Sequence, residues 1–375
     1  MFPGFSIRMM GLTFITPDQP DNMSVHSLAR SDPAKSATKG FFSNPWVGLS
    51  FILLCLPVAV LADIDRLGVY AKLKSVEATI VSGGVASEID AMAQTIGFGS
   101  VGRTTTNVTL RPDISYNSNI NGGNPAKPLE VGGLVFNGDP ALFRKEGMVY
   151  GLNTALSART IYDHGRYLDA TLRLGYAQSL EHQIGILSGT LDICSVNHLK
   201  NWWYLDLCAE LGMTERELQN NRTINQTVSI SKFLGSGPEA YSKLSLGLKQ
   251  YDSGTYQQTQ LVLDLDTIFQ NGKAASVGLV LGESVTGTLA ATFSVSADYS
   301  TRLANRPIRY AATFRQDTGG LVLGYPREDN SLSVSASLPI WRNINASIGF
   351  TATDSSIDHF DAASPVIGLG FASLF

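Results

Sequence analysis

The feature that most constrains this chain is a period-two alternation of apolar with small or polar side chains, repeated run after run from about Thr106 to the last residue. Ile344, Ala346, Ile348, Phe350 and Ala352 alternate with Asn345, Ser347, Gly349, Thr351 and Thr353. Leu332, Val334, Ala336, Leu338 and Ile340 alternate with Ser333, Ser335 and Ser337 in the same way. Residues two apart share one face of a strand, a period that no helix keeps. The pattern also marks Leu244 to Leu248, Leu261 to Leu265, Leu289 to Tyr299 and Ile367 to Phe375, and it recovers runs near 107–116, 148–161, 167–179, 184–194, 202–212, 222–233, 273–283 and 307–316. Fourteen strands are expected.

These runs are about nine to fourteen residues long, whereas strands of a soluble sandwich usually have about five or six. A tilted crossing of a bilayer takes about nine to eleven. The polar faces are dominated by Ser, Thr and Gly, which suits the lumen of a closed barrel. Only a closed barrel satisfies every backbone group of a sheet in lipid. The expected fold class is therefore all-β: a transmembrane antiparallel up-and-down β-barrel of about 14 strands over residues 106–375. Composition agrees, because only 16% of the 375 residues are charged, against roughly 25% in soluble domains. Mean hydropathy is +0.06, as expected when a lumen-facing half offsets a lipid-facing half. A net charge of −4 offers no basic excess for nucleic acid.

Residues 1–62 read as an N-terminal extension and signal peptide. The apolar stretch Trp46 to Ala62 follows Lys35 and Lys39 and ends in Val60-Leu61-Ala62 before Asp63, which places cleavage after Ala62. The 45 residues before it are long for a signal, so translation starting at Met23 or later is an open alternative. Residues 63–105 form a short periplasmic segment, in which 86–94 has the composition of a short helix; it either plugs the barrel or lies beneath it. Gly97-Phe98-Gly99-Ser100-Val101-Gly102 matches G-x-G-x-x-G, but it leads into a strand rather than a helix, so it reads as a flexible linker and not as a nucleotide site.

Connection lengths test the strand count. With both termini in the periplasm, odd-numbered connections lie outside the cell and should be the longer ones. The four longest, roughly 117–147, 213–221, 317–330 and 355–364, follow strands 1, 5, 11 and 13, whereas the even ones are short. Trp202, Trp203 and Trp341, with Tyr150, Tyr162, Tyr176, Tyr251 and Tyr299, lie near run ends, where an interfacial belt would hold them.

The final run, Val366 to Phe375, alternates and ends in an aromatic residue. In this it resembles Gram-negative outer-membrane β-barrel proteins. The resemblance implies residence in outer-membrane lipid and recognition of Phe371 and Phe375 by the barrel assembly machinery. The opening Leu110-Arg111-Pro112-Asp113-Ile114-Ser115-Tyr116 with Asn117 to Gly122 also resembles, more weakly, the barrel domain of the surface lipoprotein assembly modifier (Slam) family over 106–375. That likeness implies an exported lipoprotein as cargo. The roughly 43 residues between Ala62 and the first strand are too few for the family's helical repeats of about 34 residues each.

Chemistry is sparse. The histidines at 26, 164, 182, 198 and 359 have no second ligand at metal spacing, and neither His182 nor His359, with Asp358 and Asp361 beside it, sits in a hydrolytic constellation. Asp139 and Asp354 add carboxylates in the outer loops without adding geometry. No enzyme, cofactor or metal is expected. By parity Arg111, Arg159, Arg173, Lys243, Lys249, Arg309 and Arg315 point inward with Asp113, Asp169, Asp192, Asp206, Glu210, Asp264, Asp266 and Asp298. This near balance predicts no strong ion selectivity, because a selective pore carries a ring of one sign. Cys194 and Cys208 share the inward parity on neighbouring strands, and an oxidising compartment permits a bridge. A turn near 197–201 would put Cys194 nearer the turn than Cys208. The expected function is a pore or translocator for a small solute or an exported lipoprotein. The alternative is a non-conducting structural or surface-binding barrel that uses its outer loops.

Overall fold

The structure is a computed structural model that describes residues 66–74, 92–235, 239–269, 271–303, 306–341 and 343–371. The signal cleavage site, Met23 and Phe375 lie outside the described residues, as does most of the segment 86–94.

Fourteen strands close into one antiparallel barrel: β1 (Thr104–Asn117), β4 (Gly147–Asp163), β5 (Arg166–Gln178), β6 (Gly185–His198), β7 (Trp203–Glu215), β8 (Asn220–Gly235), β9 (Ala240–Asp252), β10 (Gln257–Phe269), β11 (Ala274–Gly282), β12 (Ala290–Leu303), β13 (Arg306–Val322), β14 (Tyr325–Trp341), β15 (Ile344–Ser355) and β16 (Ala362–Phe371). Between β1 and β4 a small hairpin, β2 (Leu129–Val131) and β3 (Leu134–Phe136), stands apart from the barrel sheet. Each barrel strand pairs with its chain neighbour, and the seam closes through Asp113↔Gly370, Ile114↔Leu369 and Ser115↔Gly368. No edge is left to template aggregation.

The alternation sorts the two faces as the sequence demands. Leu156, Leu172, Leu211, Leu248, Val334 and Ile348 are exposed on the outside. Ser231, Ser245, Asp266, Ser331 and Ser333 are buried on the inside. Trp203, Tyr150, Tyr162, Tyr176, Tyr299 and Trp341 join the outer face. Trp202 and Tyr251 do not. Trp202 has φ +63° in the β6–β7 turn and packs toward the lumen, and Tyr251 lies opposite Gln258, whose side chain is fully buried inside.

Three of the expected long loops are shorter than the sequence suggested. Strands β7 and β8 leave only 216–219 between them, and β15 and β16 leave 356–361, where Asp358–Phe360 makes one 3-10 turn. The region 317–330 is a hairpin rather than a loop. Strands β13 and β14 run out to Val322 and Tyr325 around Leu323-Gly324, whose φ values of +52° and +87° are those of a type I′ turn. A bulge between Asp317 and Gly320 interrupts the alternation there, and Gly319, φ +87°, leaves no room for a Cβ against the Val285 carbonyl. The genuinely long connection is 118–146. The other end of the barrel keeps tight turns, such as His164-Gly165 between β4 and β5.

Candidate functional site

The inward residues nearest the short-turn end of β4 to β9 break the polar rule. Ile161, Tyr167, Val196, Tyr204, Phe233 and Tyr241 form a buried apolar cluster there. A helix at 66–74 lies against it. Leu67 and Tyr70, three apart and so on one helix face, complete the cluster, with Tyr70 ring centroids 4.7 Å from Trp202, 5.7 Å from Phe233 and 5.8 Å from Tyr241. Val69 packs beside Met92, Ile96 and Leu73 in a second cluster. Burying each large apolar side chain contributes about 1.5–3 kcal/mol. The helix therefore docks by the hydrophobic effect, and its polar handle is Arg66, which donates to Asp206 at 3.0 Å and stands 5.5 Å from the Tyr204 ring centroid.

The turn at 92–103 ties this segment to the barrel rim. The Arg159 guanidinium donates to the Thr95 carbonyl at 2.6 Å and to both oxygens of Asp169, at 2.6 and 2.7 Å. Gly165 N–H donates to the Gly97 carbonyl and Gly102 N–H to the Ile161 carbonyl. Gly97, at φ +83°, lies where a Cβ would collide with the Tyr167 ring. The glycine motif is thus a turn pinned to the β4–β5 hairpin before β1 begins, rather than a free linker.

Further along the lumen the charges meet in pairs. Arg173 reaches Asp192, Lys243 reaches Asp266 at 3.2 Å, Arg309 reaches Asp298 at 2.7 Å, Arg315 reaches Asp317 and Arg327 reaches Asp329 at 3.2 Å. Asp113 accepts from Asn153 at 2.7 Å, and Glu210 accepts from Asn225 at 2.7 Å. Lys249 lies 5.7 Å from the Tyr251 ring centroid. Asp264 faces inward opposite Ser245. Among the described residues Arg111 and Lys249 have no carboxylate within 4 Å. Sequence parity does not reach Asp317, Arg327 and Asp329, because the bulge between Asp317 and Gly320 breaks the alternation there. The aromatic cluster was missed as well. Its signal was present in the sequence, since an aromatic residue at inward parity is misplaced in a water-filled lumen.

Cys194 and Cys208 are disulfide-bonded, with Cα atoms 4.1 Å apart. They face each other directly in the β6–β7 register. The turn spans 199–202, with Asn201 and Trp202 both at positive φ. It is centred later than the sequence suggested, and that shift brings the two cysteines level. Cys194 touches the aromatic cluster.

At the opposite end the 118–146 connection crosses the mouth. One anchor is Asn121, fully buried, which donates to the Phe143 carbonyl and accepts from Lys145 N–H. Leu218 N–H donates to the Asn121 carbonyl and Arg216 to the Asn119 carbonyl, which ties this anchor to the β7–β8 turn. Burial pushes the Arg216 guanidinium down to about 10. The other anchor is Leu129 and Val131, buried against Ile357, Phe360 and Val322 on the far rim. The Arg327 guanidinium lies over the Phe360 ring. The His359 imidazole is held below its ordinary value by burial, an effect opposed by hydrogen bonds to the backbone at Pro128 and Lys127. His182 contacts the Glu146 carbonyl at 3.1 Å and Asp139 caps Ala141 N–H, so these loop residues are brought to separate structural tasks.

No family model and no curated protein matches this chain. Among solved structures, OprB of Pseudomonas putida aligns with a TM-score of 0.42 at 7% identity, over 77% of this chain and 96% of its own. The outer membrane channel DcaP of Acinetobacter baumannii gives 0.40 at 10% identity, over 73% and 100%. OccK9 (OpdG) of Pseudomonas aeruginosa gives 0.39 at 9% identity, over 72% and 98%.

Proposed function

We propose that this chain is an outer-membrane pore for small solutes whose lumen is narrowed by its own N-terminal helix, with the short turns facing the periplasm. One observation carries the reading: a closed ring of fourteen strands with an apolar outside and a polar inside. Such a ring satisfies every strand hydrogen bond in lipid and leaves its interior to water. The helix at 66–74 acts as the plug on the periplasmic side, and the 118–146 connection is the outer cover. The paired lumen charges give little preference between anions and cations.

A second reading follows from the same cover and plug. With both ends obstructed, the barrel is a non-conducting scaffold that presents its outer loops. Planar-bilayer recording of the purified full chain separates the two. Discrete current steps with near-equal cation and anion permeability support the pore. A folded, heat-modifiable protein that stays silent and admits no small neutral solute into liposomes supports the scaffold. Carriage of a lipoprotein is a larger cargo for the same lumen, tested by protease exposure of a co-expressed lipoprotein at the cell surface.

A further inference from the structure

The helix does not fill the lumen evenly. It is packed against the aromatic ends of β4 to β9, and on its other side a cavity of about 80 Å³ separates Leu67 from the wall formed by Asp266, Ser276, Asp298, Ser300 and Arg309. A single water needs roughly 10–15 Å³ on this measure, so the gap has room for several waters beside the helix.

The chemistry of the gap is specific. Asp298 is held by Arg309 at 2.7 Å and Asp266 by Lys243 at 3.2 Å. The gap therefore offers oriented oxygen acceptors and guanidinium donors without a net charge of one sign. An ion that shed its hydration there would find no uncompensated partner. A neutral solute carrying hydroxyls would exchange its hydrogen bonds with water for those of the wall at little cost. The register row Gly278, Ser296, Thr313, Ser333, Thr351 and Ser364 crosses β11 to β16 without one bulky inward side chain.

We infer that the gap between the helix at 66–74 and strands β10 to β13 is the solute path of this barrel, and that it takes small, uncharged, hydroxyl-bearing solutes. The inference rests on the pore reading and gives it a route and a solute class. The helix need not leave the lumen for such a solute to pass.

The test is swelling of liposomes that carry the full chain, with glycerol as the probe. Ser276→Cys and Ser300→Cys place a thiol in the gap, and Ser157→Cys places one on β4, across the barrel, at a half-buried inward position. Each variant is checked for heat-modifiable mobility before use. Treatment with a cationic methanethiosulfonate is expected to remove most of the glycerol swelling rate in the first two and to leave the third unchanged. Swelling in sodium glutamate is expected to be much slower than in glycerol. Glycerol entry that is unaffected at Ser276 and Ser300, or blocked equally at Ser157, overturns the route while the pore reading stands. Equal entry of glutamate overturns the solute class. Absence of glycerol entry through the unmodified chain, with current steps still seen in planar bilayers, overturns the route and class together. Absence of both signals overturns the pore reading itself.

Discussion

Two halves of one lumen wall share the same alternation and do opposite things. From β4 to β9, the inward residues near the short turns are Ile161, Tyr167, Val196, Tyr204, Phe233 and Tyr241, and they hold a helix. From β11 to β16 the inward residues are mostly Ser, Thr and Gly, joined by the ion pairs Asp298–Arg309, Arg315–Asp317 and Arg327–Asp329, and beside the helix this wall leaves a gap in place of an apolar cluster. Period two decides which way a side chain points. Which side chain points there decides whether the wall grips protein or faces water.

The largest expected effect comes from removing the grip. Phe233→Ala deletes a ring that touches both Tyr70 and Trp202, and truncating a buried aromatic residue costs about 3–5 kcal/mol. The helix should undock, which limited proteolysis at 66–74 and a rise in single-channel conductance would register. Protection and conductance that stay unchanged would show that the aromatic half is not the dock. Asp206→Asn is the electrostatic version. Asp206 and Arg66 have side chains only 13% and 6% exposed, and leaving one buried charge without its partner costs about 3–5 kcal/mol. Its effect on conductance should match that of Phe233→Ala and be suppressed by Arg66→Met in the same chain. Next comes the disulfide, which closes a separation of 14 residues in the gripping half. A loop of that size contributes about 3 kcal/mol through the unfolded chain, so the Cys194→Ser, Cys208→Ser double variant should unfold at lower urea without a change in conductance.

A smaller effect is expected at the outer mouth. Because burial lowers the His359 pKa in the fold, the unfolded state binds more protons as pH falls through about 6.5. Docking of 129–131 against 357–360 should therefore weaken on acidification through that range and regain strength above it. Hydrogen exchange at Leu129 and Val131 would show this, and His359→Gln should remove the pH dependence. The smallest effect is expected in the open half, where Ser335→Ala removes a hydroxyl for which no partner is needed. Stability should change by within about 0.5 kcal/mol, and a large loss on urea unfolding would mean that this half carries more structure than its small side chains imply.

The sequence made the barrel legible because an apolar outer face and a polar inner face impose the alternation on every strand. Strand number, inward parity at Arg159, Arg173, Asp298 and Arg309, and the polar lumen could all be read from it. Hairpin lengths could not. Leu323-Gly324 lacks the Asn-Gly or Asp-Gly signature of a type I′ turn, and the bulge at 317–320 breaks the alternation just where β13 continues. Asp317, Arg327 and Asp329 were hidden for that reason. The dock was hidden differently. Leu67 and Tyr70 are an ordinary short apolar pair, and only closure of the barrel brings Tyr204, Phe233 and Tyr241 from separate strands onto them.

The helix at 66–74 is held by one half of the wall and not the other. Replacing Tyr70 by the photoreactive p-benzoylphenylalanine, in the full chain in membranes, tests it most directly. Irradiation should give adducts on peptides that contain Trp202, Phe233 or Tyr241. Adducts on β12 to β15, or no adduct within the barrel, would contradict it.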